Sequence, residues 1–347
     1  MTLESATQSP FSFFVSERPM TLKDPILFAL GASTPYGTRV AQHLGVPLAP
    51  HEERDFEDGQ HKIRSLVSVR GRDTFVLHSL HGDDERSVND KLCRLLFFLG
   101  SLRDAAAATV TAVIPFLCYS RKDRKTKSRD PITTRYVAAM FEAVQVDRVV
   151  TLDVHNLAAF QNAFRCRTEH LEALSLFASH FAAVLGDESA AIVSPDLGGI
   201  KRAEALRGSL AGLLGRPLGA AVVEKYRSQD VVRGETLTGD VEGCTAILID
   251  DMISSGGTIA RAARACRAAG ARSVWAAASH GVFTSAANEA LAEEALERVI
   301  ILDTIRPDRL DPGLRQSKVE LLDASHLFSD AISALHSGGS IVELSEF

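Results

Sequence analysis

Two neighbouring carboxylates, Asp250 and Asp251, close an apolar run and lead into a turn of small residues in AILIDDMISSGGTIARAARACRAAG, residues 246–270. Paired carboxylates accept hydrogen bonds from vicinal hydroxyls, and glycine, serine and threonine let backbone N–H groups close around a phosphate. Segment 121–129 supplies charge of the opposite sign. There Arg121, Lys122, Arg124, Lys125, Lys127 and Arg129 stand against Asp123 alone, a net +5. Guanidinium forks donate parallel hydrogen bonds to phosphate oxygens, so a polyphosphate is the fitting partner. A solvated loop is the plainer alternative, and a nucleic-acid patch is disfavoured because Tyr119 is the only aromatic beside the run. A second small-residue turn, VSPDLGGIKRA, couples Asp196 to Gly198 and Gly199, with Lys201 and Arg202 close behind.

These residues need a scaffold that brings distant loops together. From residue 25 onward, short apolar runs alternate with longer amphipathic segments: PILFALGAS, TFVLHSL, TVTAVIPFL, RVVTLDVH, AAIVSPDLGG, TAILIDDMISSGG, SVWAAASHG and RVIILDTI. That alternation predicts βα units and largely parallel sheets. Several runs end in acid, His or Gly, among them Asp153 with His155, Asp196 with Gly198, and Asp250 with Asp251. In open α/β sheets ligands bind at the C-terminal edge of the strands, beside helix N-termini that attract anions. Each single acid could equally be a helix cap. The chain is expected to divide into an N-terminal extension 1–25, a first α/β domain 26–165 completed by 311–347, and a second α/β domain 166–310.

Composition excludes several classes. The chain has 347 residues, 46% apolar and 24% charged, the balance of a globular protein with room for two domains. A net charge of −6 gives no global attraction for nucleic acid or anionic lipid. The five cysteines form no C-x-x-C pair and are read as reduced thiols of a cytoplasmic protein. The longest apolar stretch, 105–119, is too short to span a bilayer, and the N-terminus has no basic n-region. Met20 opens the first strand-like run and could serve as a translational start. Neither G-x-x-x-x-G-K-[ST] nor a strand-linked G-x-G-x-x-G occurs, so neither a P-loop enzyme nor a Rossmann dehydrogenase fits.

The ordered set IPFLCYSRKDRKTKSRDPIT, LDVH, VSPDLGGIKRA, EKYRSQ, GDV and LIDDMISSGGT resembles the ribose-phosphate diphosphokinases, the synthetases of phosphoribosyl pyrophosphate, over residues 27–310. The resemblance implies two type I phosphoribosyltransferase-like domains. It also implies transfer of the β,γ-diphosphoryl group of ATP to the 1-hydroxyl of ribose 5-phosphate, with Mg²⁺ as cofactor. Carried over motif by motif, Asp250 and Asp251 hold the ribose hydroxyls, and Ser254, Ser255, Gly256, Gly257 and Thr258 wrap the 5-phosphate. His155 and Asp196 take metal-associated positions. Arg121, with Lys122, Asp123 and His155, contacts ATP. Lys225 and Arg227, on a loop expected to close over ATP, stabilise the transferring group as catalytic residues. Phe56, Asp58 and Gln60 resemble an adenine-binding loop supplied by a neighbouring subunit, which implies a homo-oligomer built from dimers, up to a hexamer. The chain departs from the family pattern at Gln60, at Lys122 and in the segment after His155. Three other readings stand beside this one: a non-catalytic regulatory paralogue, a diphosphokinase with another ribosyl 5-phosphate acceptor, and a phosphoribosyltransferase. The last leaves the basic segment, LDVH and VSPDLGG without a role.

Overall fold

The structure is a computed structural model that describes residues 24–228 and 231–344. The N-terminal arm and Met20 lie outside them. Its strands are β1 (Ile26–Ala29), β2 (His51–Asp55), β3 (His61–Ser65), β4 (Asp73–Leu77), β5 (Thr109–Ile114), β6 (Arg148–Leu152), β7 (Arg167–Leu171), β8 (Ala190–Ser194), β9 (Gly219–Ser228), β10 (Val231–Gly239), β11 (Thr245–Ile253), β12 (Ser273–Gly281), β13 (Arg298–Leu302) and β14 (Val319–Leu322). The helices are α1 (Thr34–Leu44), α2 (Val88–Asp104), α3 (Thr133–Ala143), α4 (Leu157–Ala163), α5 (Leu174–Leu185), α6 (Ile200–Leu214), α7 (Gly257–Ala268), α8 (Ala287–Ala292), α9 (Pro312–Lys318) and α10 (Ser325–Ser337).

Two sheets carry the fold. The first runs β1-β4-β5-β6-β7 and is parallel throughout. The second runs β10-β9-β8-β11-β12-β13-β14 and is parallel except for the β9/β10 hairpin. β2 and β3 form a separate antiparallel hairpin. The expected α/β class with largely parallel sheets is therefore observed. Sheet membership moves the expected division at 165/166: β7 pairs with β6, so the first sheet extends to Leu171. The 311–347 segment is shared as well. β14 joins the second sheet beside β13, whereas α10 sets Phe328 edge-on against Tyr36 of α1.

Strand periodicity explains the layers. Alternate side chains of β1, Leu27 and Ala29, enter a core shared by both sheets, while Ile26 and Phe28 enter an outer core with α2 and α3. Ile192 of β8, Ile247 and Ile249 of β11 and Trp275 of β12 belong to the same shared core. Helices α1, α5, α6 and α10 contribute Val40, Phe181, Leu206 and Phe328 to it. The other face of the second sheet is covered by α7 and α8 through residues such as Ile259, Ala263 and Leu291.

Polar contacts pin the two sheets together at their C-terminal edges. His280 donates Nε2–H to the Leu152 carbonyl (2.9 Å), Ser79 donates to the Thr304 carbonyl (2.9 Å), and Ser279 donates to the Asp153 carboxylate. Arg39 of α1 pairs with Asp303 after β13 at 2.5 Å. No helix among the described residues is long and apolar enough to cross a membrane.

Beside this seam His78 is buried, with Nδ1 3.2 Å from the Ser33 hydroxyl. Burial first, and repulsion from Lys91 second, pushes its imidazole down to about 4. The folded protein thus declines a proton that the unfolded chain accepts below about pH 6.5. Stability from neutral His78 is complete above about pH 6.5 and declines as the pH falls towards 4. The loss is about 3 kcal/mol, at about 1.4 kcal/mol per pH unit. Urea unfolding between about pH 7.5 and 4.5 should show this decline in the wild type and a shallower one in His78→Gln. Equal slopes would remove His78 as its source.

Candidate functional site

The unequal lengths of β8 and β11 make the site. The two strands pair only as far as Leu248 opposite Val193, after which β8 turns away and β11 continues beside β12 to Ile253. Asp250 and Asp251 therefore lie inside β11, past the end of one neighbour, rather than at the strand's last residue as expected. Asp251 shares the strand face of Ile247 and Ile249, which belong to the core between the sheets. There its Oδ2 meets Nδ1 of His155 at 2.9 Å, three residues beyond β6.

The turn after β8 supplies the next side. Ser194 donates to the Asp196 carbonyl (2.6 Å), and the Asp196 carboxylate accepts the Gly198 N–H (2.9 Å). A Cβ on Gly199 would sit 2.8 Å from Ser194 Oγ, so this return favours glycine. α6 begins next, and Arg202 in its first turn reaches back to both acids, 3.4 Å from Asp250 and 3.7 Å from Asp251. Burial chiefly, and then Asp251, raises Asp250 above the usual carboxylate range. For Asp251 burial acts the same way but is outweighed by the His155 hydrogen bond and by Arg202, which hold it well below that range. His155 is raised in turn, first by its hydrogen bond to Asp251.

α7 starts at Gly257, preceded by Gly256 with φ +75° in the left-handed region. The unpaired N–H groups of its first turn make this end attractive to an anion. The cleft so enclosed has a volume of about 750 Å³. It brings together Arg121, Asp123, His155, Asp196, Asp250, Asp251, Ser254, Ser255, Gly256 and Thr258, all expected from sequence. Gly257 lies at the helix start behind them. Lys122 is exposed, with Nζ 3.8 Å from Asp130, and does not line the cleft.

Two further positions were not assigned a role from sequence. Asn156 donates Nδ2–H to Asp123 (2.7 Å) and accepts the Ala159 N–H through Oδ1 (3.1 Å). One side chain thus caps α4 and ties the basic segment to the loop that carries His155. Arg202 is the other. Its nearness to GG in VSPDLGGIKRA was visible, but its pairing with two acids some fifty positions away was not.

Phe56, Asp58 and Gln60 occupy the tip of the β2/β3 hairpin and lie outside the cleft lining. The turn end of that hairpin is fixed through Asp55, the last residue of β2, which Arg86 before α2 and Arg94 within it hold at about 2. At the tip Phe56 is half-exposed with Arg54 over its ring, and Gln60 donates to Asp58 (2.8 Å). The expected closing loop is instead strand at the backbone level: Lys225 and Arg227 belong to β9 and pair with Glu235 and Val232 of β10. Their side chains lie outside the described residues.

His155 and Asp196 line the same cleft, and their imidazole and carboxylate are both ligand types for a divalent cation that also keeps phosphate and water ligands. Paired parallel sheets with a carboxylate pair beside a helix N-terminus define a phosphoribosyltransferase-type scaffold. The comparisons carry this further. The N-terminal domain of ribose phosphate pyrophosphokinase matches residues 25–144, and a phosphoribosyl synthetase-associated domain matches residues 229–345. The chain is 36% identical over 322 residues to ribose-phosphate pyrophosphokinase 1 of Streptococcus pneumoniae, covering 91% of this chain and 95% of that protein. It is likewise 36% identical to ribose-phosphate pyrophosphokinase 1 of Streptococcus mutans, over 92% of this chain and 97% of the relative. The crystal structure of phosphoribosylpyrophosphate synthetase from Mycobacterium smegmatis superposes with a TM-score of 0.81 at 34% identity, over 91% of this chain and all of that one. The chain belongs to the ribose-phosphate pyrophosphokinase family.

Gly256 fixes the turn that leads into α7. A Cβ there would sit 2.9 Å from the Ala290 Cβ, in a backbone conformation that L-residues resist. Gly256→Ala should lower unfolding stability by about 1–3 kcal/mol in urea titration. An unchanged midpoint would mean that the turn relaxes freely.

Proposed function

We propose that the protein is a ribose-phosphate diphosphokinase that moves the β,γ-diphosphoryl group of ATP to the 1-hydroxyl of ribose 5-phosphate, giving phosphoribosyl pyrophosphate and AMP. The observation that carries this is the facing of Asp250 and Asp251, beside the α7 turn, by His155 and Arg121 across a single cleft. In this reading the two acids accept hydrogen bonds from the ribose 2- and 3-hydroxyls, and Arg202 holds them in register. Ser254, Ser255, Thr258 and the backbone of Gly256 and Gly257 receive the 5-phosphate, which leaves the 1-hydroxyl turned toward the basic segment. Its oxygen attacks the β-phosphorus and gives up its proton to solvent, the bond from that phosphorus to the α,β-bridging oxygen breaks, and AMP departs with the bridging oxygen.

Such a transfer depends mainly on positioning and on countering negative charge. Arg121 meets the polyphosphate of ATP, with Asp123 and Asn156 setting the loop that carries it and Lys122 adding charge from outside the cleft. His155 and Asp196 would hold Mg²⁺, which supplies charge neutralisation to the ATP phosphates. Lys225 and Arg227 serve the transferring group from the β9/β10 hairpin. Phe56, Asp58 and Gln60, held away from this cleft on their own hairpin, are suited to receive adenine for a neighbouring subunit, and the working form is a homo-oligomer, dimer-based and as large as a hexamer. A cytoplasmic location, where ATP and reduced thiols are found, completes the reading. A purely regulatory paralogue has no need of this whole polar set.

³¹P NMR of the protein with ATP, Mg²⁺ and ribose 5-phosphate should show AMP and a diphosphate ester appearing together, and neither without the acceptor. ATP left intact by folded protein would overturn the reading. Arg227→Ala should lower kcat by about 10²–10³-fold with little change in KM, as for loss of a donor to the transition state. Asp250→Asn should act chiefly on the apparent KM for ribose 5-phosphate, and an unchanged value would remove Asp250 from the diol site.

A further inference from the structure

We propose that His43, Asp323 and His326 form a transition-metal site, of the kind that takes Zn²⁺ or Co²⁺, on the outer edge of the seam between α1 and the turn joining β14 to α10. One ligand atom from each of the three side chains lies within 4.8 Å of the others, and all three residues are exposed. His43 Nε2 is 4.0 Å from Asp323 Oδ2, and the His43 and His326 rings stack with centroids 3.4 Å apart at 32°.

The carboxylate is already oriented. Asp323 Oδ1 accepts the Ser325 N–H (2.8 Å) at the start of α10, which turns Oδ2 toward His43. A partner that fixes one oxygen of a ligand in this way is a regular companion of metal sites. Zinc–nitrogen bonds of about 2.0–2.1 Å and zinc–oxygen bonds of about 2.0–2.2 Å need ligand atoms roughly 3.3–3.5 Å apart in a tetrahedron. Exposed side chains reach that separation by rotating, without backbone movement. Three protein ligands leave a fourth position for water, and Arg39, whose charge is felt at Asp323, is paired with Asp303 at 2.5 Å.

The donor set separates this site from the catalytic cleft. Two imidazoles favour a borderline metal and disfavour Mg²⁺, which prefers oxygen. Two imidazoles stacked so closely also repel when both are protonated, whereas a shared cation uses both lone pairs. A bound ion would fasten α1 to the β14–α10 turn. It would reinforce the Arg39–Asp303 pair and the Ala324 N–H bond to Asp303 (2.9 Å) along the same seam.

The test uses the full chain, stripped with chelator and titrated with Zn²⁺ by calorimetry and with Co²⁺ by visible absorption. The wild type should bind one tight equivalent, and Zn²⁺ should raise its Tm. His43→Ala and His326→Ala should each weaken binding at least about tenfold and lose the Tm response, with metal-free Tm showing that both fold. His155→Ala reports on the catalytic cleft and should bind as the wild type does. Absence of binding by the wild type, undiminished binding by either of the first two variants, or an equal loss in His155→Ala would each overturn the site.

Discussion

Two carboxylates held side by side at the end of a parallel sheet form an arrangement that opposes its own existence. Burial and mutual repulsion both disfavour a double negative charge. The surrounding structure answers this from two directions. Arg202 comes from α6, which packs in the shared core, and His155 comes from the loop after β6 of the first sheet. Asp251 keeps its charge because both reach it, whereas Asp250 is displaced upward by burial first and by Asp251 next, with Arg202 opposing. The pair is therefore asymmetric, with Asp251 held below the usual carboxylate range and Asp250 raised above it.

That asymmetry makes the cleft dependent on the seam. His155 belongs to the first sheet and Asp251 to the second, so their 2.9 Å contact measures how the sheets sit on one another. The bonds of Asp153 with Ser279 and of Leu152 with His280 lie one turn below and fix the same relation. Asp153 does so in a left-handed conformation, φ +39°, which bends the chain out of β6 so that Val154 returns to the core and His155 faces the cleft.

Strands buried on both faces were legible in the sequence because they must be continuously apolar: TVTAVI, AAIVS and RVIIL read directly as β5, β8 and β13. Strands that bury few side chains were not. HEERD, HKIRS and RTEHL bury little besides Ile63 and Leu171, so no apolar pattern marks β2, β3 or β7. The domain division was misplaced for that reason, since RTEHL gives no sign that it extends a sheet. The cleft was legible where one local segment holds several functional groups, as in DDMISSGGT. Arg202 and Asn156 act across the fold, on partners set by packing rather than by spacing, and only coordinates reveal them.

The distance along the chain between His155 and Asp251 also bears on how the molecule comes into being. Their contact, like those of Ser79 with Thr304 and Arg39 with Asp303, joins parts of the chain made far apart in time during synthesis. Contacts of such long separation form late in folding. A nascent chain that has emerged only as far as the first sheet already carries its basic segment, yet it lacks the acids, the turn before α7 and the partner for His155. Such a chain has the charge to attract an anion and no walls to enclose one, so the cleft comes into being only when the last strands have docked.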